Sequence, residues 1–130
     1  MRLLTFSLAE TVHAVELSTV EGVARWEEVE GRGLPLLDLA RWLGYGGEED
    51  RQEGRAPVLV LQAGGRRALM RVDRSGEVLE VATDAARDPP EIFPRHLLKG
   101  VIEHGGGLVV WLDGEALVQE AWRSAREEPA

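Results

Sequence analysis

The sequence has 130 residues, of which 44% are hydrophobic and 29% are charged, which predicts one globular domain with its own core. The formal net charge of -8 argues against nucleic acid as a partner, because an acidic chain repels phosphate backbones. Cysteine is absent, which excludes disulfides, thiolate metal sites and cysteine nucleophiles. No apolar run has the length of a signal core or a membrane-spanning helix, so we expect a cytoplasmic protein without membrane insertion.

Alternating apolar and polar residues predict short strands at the start of the chain. Residues 4–8 and 13–17 alternate in this way around a short turn, which predicts a β-hairpin of half-buried strands. Residues 20–23 either extend the second strand or begin a third one. Residues 25–33 are charged and bounded by glycine, which is typical of a loop or an edge. Trp26 in this segment is either exposed, as at an interface, or packed over the end of a barrel.

The stretch 33–44 predicts a buried strand that continues directly into a short helix. Its apolar run 34–37 is too short for a core helix, and Pro35 places that run at a strand start, an edge or a bulge. Asp38 then stands where a helix needs its N-cap. The acidic segment 45–54 follows as a solvated linker or a functional loop.

The second half predicts more strands, joined by glycine turns and followed by one helix. Residues 58–61 are apolar on both faces, as in a central strand, and a Gly-Gly turn leads to a partner strand at 68–72. Further strands are predicted at 78–81, 97–102 and 108–112. The helix that follows Asp113 has an apolar stripe of Leu117, Val118, Ala121, Trp122 and Ala125. The fold class is therefore mainly all-β, a barrel or a sandwich.

The residue types that carry catalysis or bind metals form no recognisable set. His13, His96 and His104 lack the close spacing of a zinc motif. The glycine-rich segments lack the lysine and the hydroxyl residue of a phosphate loop, and no serine stands in a nucleophile elbow. We therefore predict no catalytic residue, no metal and no cofactor.

Three aspartates, Asp38, Asp73 and Asp113, are candidates for acid–base groups. Asp38 and Asp113 are each explained by capping a helix, which is the simpler interpretation. Asp73 either closes a turn with the following Ser-Gly pair or holds a strand end by accepting N–H groups. A binding or scaffold role is favoured over an enzyme.

Four motifs, in order, resemble the CheW-like domains of bacterial chemotaxis coupling proteins. They are an opening hairpin at 3–20, the signature Leu34-Pro35-Leu36-Leu37-Asp38-Leu39, a strand–Asp–strand crossover at 72–79, and a closing hairpin with a helix start at 98–113. The resemblance covers nearly the whole chain. It implies one CheW-like domain, 1–130, with two small SH3-like five-stranded β-barrel lobes, formed roughly by 1–47 and 56–113, and a closing helix at 114–126.

The resemblance also implies an adaptor that performs no chemistry. Members of this family bridge the cytoplasmic tip of a chemoreceptor and the regulatory domain of a CheA-type histidine kinase, through barrel edges and an apolar groove between the lobes. Carried over to this sequence, the partner-binding residues are Val20, Glu21, Val23, Arg32 and Val101.

The chain departs from the family pattern just before Pro35. Family members usually carry a further strand that ends in a segment like Asn-Leu-Arg-Gly, whereas here only 24–33 fills that space and Arg32-Gly33 is the nearest counterpart. The first lobe is therefore predicted to lack a strand, and to be either minimal or completed by a partner strand or a second copy.

The sequence leaves two alternative functions open. The first is a protein with the same fold that no longer binds the kinase and acts as an adaptor for localisation or motility. The second is a small ligand-binding barrel or enzyme that uses Asp73 or Asp38.

Overall fold

The computed structural model describes residues 1–39, 57–88 and 95–127. Two helices in these ranges are α1 (Trp26–Val29) and α2 (Gly114–Glu127), and short 3₁₀ turns lie at Leu17–Thr19 and Arg95–Leu97. The strands, in chain order, are β1 (Arg2–Leu8), β2 (Thr11–Glu16), β3 (Val20–Arg25), β4 (Leu36–Leu37), β5 (Pro57–Ala63), β6 (Arg66–Arg71), β7 (Arg74–Glu80), β8 (Leu98–His104) and β9 (Gly107–Leu112).

The strands form two sheets, which confirms the predicted mainly-β fold with two lobes. Sheet A has five strands in the order β7-β1-β2-β9-β8, and sheet B has four described strands in the order β3-β5-β6-β4. Neighbouring strands are antiparallel except for β2 with β9 and β4 with β6. The segment 24–33, where the chain is shorter than the family pattern, lies between β3 and β4 of the four-stranded sheet.

The two sheets do not follow the two halves of the sequence. The opening hairpin β1–β2 lies inside sheet A, where β1 pairs with β7 and β2 pairs with β9. The predicted division into lobes 1–47 and 56–113 differs from this pairing, since each sheet takes strands from both halves. Pairing between strands distant in sequence depends on tertiary contacts, which local patterns do not encode.

Most predicted strands and turns are found, with two differences. Residues 20–25 form a separate third strand, which is one of the two alternatives that the sequence left open. The segment 25–33, predicted as a loop or an edge, contains the short helix α1. The N–H group of Arg25 donates to Glu28 Oε1 at 2.9 Å, which stabilises the first turn of that helix. Strand β7 begins at Arg74, earlier than predicted. The helix predicted after Asp38 and the linker 45–54 lie almost entirely outside the described residues.

The main core lies between the two sheets and is closed by α2. It contains side chains of both sheets and of the helix, among them Leu4, Phe6, Leu8, Val15, Leu59, Leu61, Met70, Val110, Leu112, Leu117, Val118 and Ala121. Two smaller clusters complete the interior, one within sheet A around Leu3 and Trp111 and one within sheet B around Val58 and Leu69. Strand β1 is thus buried on both faces rather than half-buried as predicted, since Leu3 and Leu4 belong to different clusters.

Helix α2 begins with the predicted cap. Asp113 Oδ1 accepts from the N–H of Ala116 at 3.2 Å, so this carboxylate satisfies one of the unpaired donors of the first turn. The predicted stripe is correct for Leu117, Val118 and Ala121, which are buried, and Trp122 is half-buried. Ala125 is exposed, contrary to prediction, because the last turn of α2 extends beyond the core.

Candidate protein-binding surface

An open groove lies on sheet B, next to the edge strand β3. Its volume is about 440 Å³. Its floor consists of small and apolar residues, and charged side chains stand around it. The lining residues are Glu21, Gly22, Val23, Ala24, Glu28, Val29, Arg32, Leu34, Val60 and Arg67. An apolar floor with a charged rim is the usual composition of a protein interface.

Strand β3 borders this groove, and the solvent exposure of its side chains alternates along the strand. Its residues alternate between half-buried and exposed, and Glu21, Val23 and Arg25 are the exposed ones. Val23 is 50% exposed, unusual for a large apolar residue in this protein. The pairing of β3 with β5 shifts register between Val20 and Gly22, which places Glu21 at a bulge.

A salt bridge connects the β3 side of the groove to β6. Arg67 Nε lies 2.8 Å from Glu21 Oε2. The backbone carbonyl of Arg67 accepts from Trp122 Nε1 at 2.9 Å, and the guanidinium of Arg66 lies 5.5 Å from the centre of the same indole ring. An exposed ion pair contributes little to stability, but it directs the Arg67 side chain toward Glu21, while the indole hydrogen bond holds the Arg67 backbone against α2.

Arg32 is held at the groove by two glycines. Gly31 and Gly33, on either side of it, have φ angles of +83° and +77°, a region that L residues rarely adopt. The N–H of Arg32 donates to the carbonyl of Val29 at 3.2 Å, which closes the turn after α1. The arginine itself is exposed, so its charge faces solvent at the mouth of the groove.

Trp26 packs over the end of the sheet B lobe. It is half-buried against the cluster of Val29, Val58 and Leu69. The guanidinium of Arg71 lies 5.5 Å from the centre of its ring, within range of a cation–π interaction. Of the two interpretations left open by the sequence, the structure supports the packed tryptophan.

The structure brings together three of the five residues predicted to bind partners. Glu21, Val23 and Arg32 line the same groove. Val20 is half-buried and packs against the main core. Val101 lies on β8 of sheet A, where its N–H and carbonyl both bond to Arg87 at 2.9 Å. Val101 therefore belongs to a different surface.

Asp73 holds the turn between β1 and β2. Its Oδ2 accepts from the N–H of Ala9 at 2.7 Å, and its own N–H donates to the carbonyl of Ser7 at 2.9 Å. Ala9 and Glu10 have positive φ angles of 49° and 68°, so this turn needs an external partner to stay in place. The structure thus supports the strand-end interpretation of Asp73. Within the described ranges, no group of three or more acidic or histidine side chains could hold a metal ion.

The three histidines lie in three separate environments. His13 is fully buried, stacks on Phe6 at 5.6 Å between ring centres, and donates from Nδ1 to the carbonyl of Thr11 at 3.0 Å. His96 lies 3.5 Å from Glu120, and His104 lies 4.0 Å from Glu77 on β7. Burial lowers the pKa of His13, although its bond to the Thr11 carbonyl acts in the opposite direction.

The buried His13 predicts that stability decreases on mild acidification. The unfolded chain protonates this histidine near its ordinary pKa of 6.5, whereas the folded chain keeps it neutral to lower pH. The free energy of unfolding is therefore highest above that pH and falls as the pH drops below it, by at most about 1.4 kcal/mol per pH unit. Urea unfolding as a function of pH measures this slope. His13→Gln should remove it and His104→Gln should not; an unchanged slope in the His13 variant contradicts the assignment.

Glu120 is a buried carboxylate that the sequence analysis missed. It is 4% exposed and accepts hydrogen bonds from Ser124 Oγ at 2.9 Å, from Arg123 and from His96 Nε2 at 3.5 Å. Burial raises its pKa, but the three hydrogen bonds and the charge of Arg123 outweigh burial, so the pKa lies below its ordinary value. Glu120 follows Leu117 by three positions and so lies on the same, buried face of the helix, which is the sequence signal that indicates its burial.

A second hollow lies in sheet A, between the edge strand β7 and the β8–β9 turn. Its volume is about 520 Å³, and Phe6, Leu79 and Val109 line it. Leu108, which is 61% exposed, stands beside it. The molecule therefore presents an apolar recess on each of its two sheets.

Two β sheets around a shared core, closed by one helix, define the class of this chain as a small two-lobed β domain. The model of the CheW-like domain family matches residues 2–121, and the chain therefore belongs to that family. Among solved structures, the "scaffolding protein TtCheW from Thermoanaerobacter tengcongensis" has the same fold, with a TM-score of 0.71 and 19% sequence identity, over 85% of this chain and 82% of that one. A comparison with curated proteins found no match. In the described part of the chain, no helix is long and apolar enough to cross a membrane.

Proposed function

We propose that this protein is a non-enzymatic adaptor in bacterial chemotaxis or motility signalling, which couples chemoreceptors to a CheA-type histidine kinase. Membership of the CheW-like family over residues 2–121 is the observation that carries the proposal. The similar structure from Thermoanaerobacter tengcongensis is itself a scaffolding protein. We assign to it the two partners that the family resemblance implies, which are the regulatory domain of the kinase and the cytoplasmic tip of the receptor.

The groove on sheet B is the surface we assign to one of these partners. Its apolar floor, with Leu34 and Val60, can bury an apolar side chain of the partner, which supplies affinity. The charges of Arg32 and Glu28 at its rim then select the orientation, since rim charges set specificity and association rate more than affinity.

An adaptor needs two separate surfaces, and we assign the second to sheet A. Val101 belongs to that sheet and is half-buried beside the bridge to Arg87. A partner on sheet A leaves the sheet B groove accessible, because the two recesses are lined by different residues. Simultaneous binding of receptor and kinase requires this separation.

Reversing the charge of Arg32 tests the assignment of the groove. We expect Arg32→Glu to weaken binding to one of the two partners at least about tenfold, because a rim charge of the wrong sign repels the partner's complementary surface. Isothermal titration calorimetry with a purified CheA-type regulatory domain, and separately with a receptor tip, measures this. Arg126→Glu in the last turn of α2 makes the same charge change away from both recesses and should leave both affinities unchanged.

The outcomes also separate the alternatives. Wild-type protein that binds the receptor tip but not the regulatory domain is the localisation or motility adaptor. Unaltered binding by the Arg32 variant removes the groove from the proposal. A metabolite that raises the melting temperature, with neither protein bound, replaces the adaptor with a ligand-binding barrel.

A further inference from the structure

The sheet edges of this protein differ in how well they are protected. The edge of β8 is covered where Val101 pairs with Arg87, and β4 has only two residues. Strands β3 and β7 are the longer edges on which, among the described residues, no further strand pairs. Long uncovered edges are templates for strand pairing, so these two need an explanation.

The charge pattern of β7 opposes pairing with its own copy. Two copies of one strand related by a two-fold axis pair antiparallel, and opposed residues must lie on the same face of the sheet. The register that sets Arg74 opposite Glu80 then sets Glu77 opposite Glu77 of the second copy. Like charges directly opposite each other destabilise the pair, so the register that pairs the full length of β7 is disfavoured.

The charge pattern of β3, in contrast, favours antiparallel pairing with the same strand of a second copy. Its exposed row consists of Glu21, Val23 and Arg25. When Val23 lies opposite Val23 of a second copy, Glu21 at its bulge comes beside Arg25 of that copy, and by symmetry this pair forms twice. Gly22 and Ala24, which face each other in this register, are small, and no atom lies within 4 Å of the position of a Cβ at Gly22.

We propose that β3 is a homodimerisation edge, on which a second copy of this chain adds its own β3 in antiparallel orientation with Val23 on the two-fold axis. Sheet B then continues from one copy into the other. Arg67 binds Oε2 of Glu21, so Oε1 can accept from Arg25 of the second copy. The inference does not rest on the proposed function, and it predicts that dimerisation competes with any partner that binds this edge.

The dimer is expected to be weak. A single strand pair makes an interface below the standard size, so we expect a Kd on the order of 10–100 µM. Sedimentation equilibrium over that concentration range should show a reversible monomer–dimer equilibrium. A protein that stays monomeric throughout the range overturns the proposal.

Two single charge reversals test the register. In homodimers of Glu21→Arg, arginine faces arginine, and in homodimers of Arg25→Glu, glutamate faces glutamate, so each variant alone should dimerise at least about tenfold more weakly. An equimolar mixture should form a heterodimer, because both opposed pairs are again complementary. Arg74→Glu should dimerise like the wild type. Mixtures that stay monomeric, or single variants that dimerise normally, contradict the proposed register.

Disulfide trapping tests the same geometry without altering a charge. The chain has no cysteine, so Val23→Cys introduces one thiol. Opposed residues of an antiparallel pair have Cα atoms about 4.5–5.5 Å apart, within the range that a disulfide spans. Mild oxidation should link Val23→Cys into a covalent dimer. The matched control is Val78→Cys on β7, which should stay monomeric although Val78 is 48% exposed and Val23 is 50% exposed. Equal cross-linking of both variants, or of neither, overturns the proposal.

Discussion

Replacing Leu117 with alanine is expected to lower the free energy of unfolding by about 2–5 kcal/mol, because it removes a buried side chain and leaves a cavity. Leu117 is 0% exposed and belongs to the core that α2 closes between the two sheets. The sheets cannot move together to fill the gap without breaking their other contacts. Urea unfolding followed by tryptophan fluorescence measures the loss.

Leu108→Ala is the matched control for this experiment. Leu108 is 61% exposed, so its truncation should change the free energy of unfolding by less than about 0.5 kcal/mol. A loss of similar size in both variants means that α2 does not close a common core, and that the lobes are stabilised independently.

Replacing Gly100 with alanine is expected to cost about 1–3 kcal/mol, because the added methyl group meets backbone rather than empty space. A Cβ at this position lies 2.7 Å from the carbonyl oxygen of Arg87 and 3.0 Å from the Cβ of Ala86. The Arg87 segment covers the edge of β8 through its bonds to Val101, so the substitution also loosens that cover. Denaturation gives the stability loss, and amide exchange at Val101 gives the local effect.

Gly22→Ala serves as its control, because no atom lies within 4 Å of a Cβ at that position. We expect its stability to match the wild type within about 0.5 kcal/mol. Fast exchange at Val101 in the Gly100 variant, with slow exchange in the control, supports the close packing. Gly100→Ala without any loss of stability contradicts it.

Local patterns in the sequence predicted most of the elements correctly. Residues 58–61 are apolar on both faces because β5 lies inside sheet B, between β3 and β6. The Gly64-Gly65 pair has the positive φ angles that its tight turn requires, 58° and 76°. Asp113 caps α2 as its position before an amphipathic segment indicated. Each of these signals depends on neighbours in sequence.

The features that sequence reasoning missed depend on distant contacts. The hairpin β1–β2 could be predicted, but its place between β7 and β9 is determined by tertiary packing. A glutamate in an amphipathic helix is normally a surface residue, so its residue type alone does not indicate that Glu120 is buried. One of its hydrogen bonds comes from His96, which lies 24 positions earlier in the chain. Ala125 continues the apolar stripe in sequence, yet the core ends before it.

The candidate site was predictable only in part, for the same reason. Glu21 and Val23 are two positions apart on one strand, so their common exposure follows from the period of a strand. Arg32 joins them because α1 and the turn between Gly31 and Gly33 bring the chain back to the groove. Val101 separates from them because it belongs to the other sheet.

The central proposal is that this protein physically joins two other proteins. Co-sedimentation of a purified CheA-type regulatory domain with receptor tips, with and without this protein, tests that claim most directly. We predict that the receptor tips retain the regulatory domain only when the adaptor is present, and that retention rises with adaptor concentration until the sites are filled. Retention that is absent at saturating adaptor, or equal without it, would contradict the account.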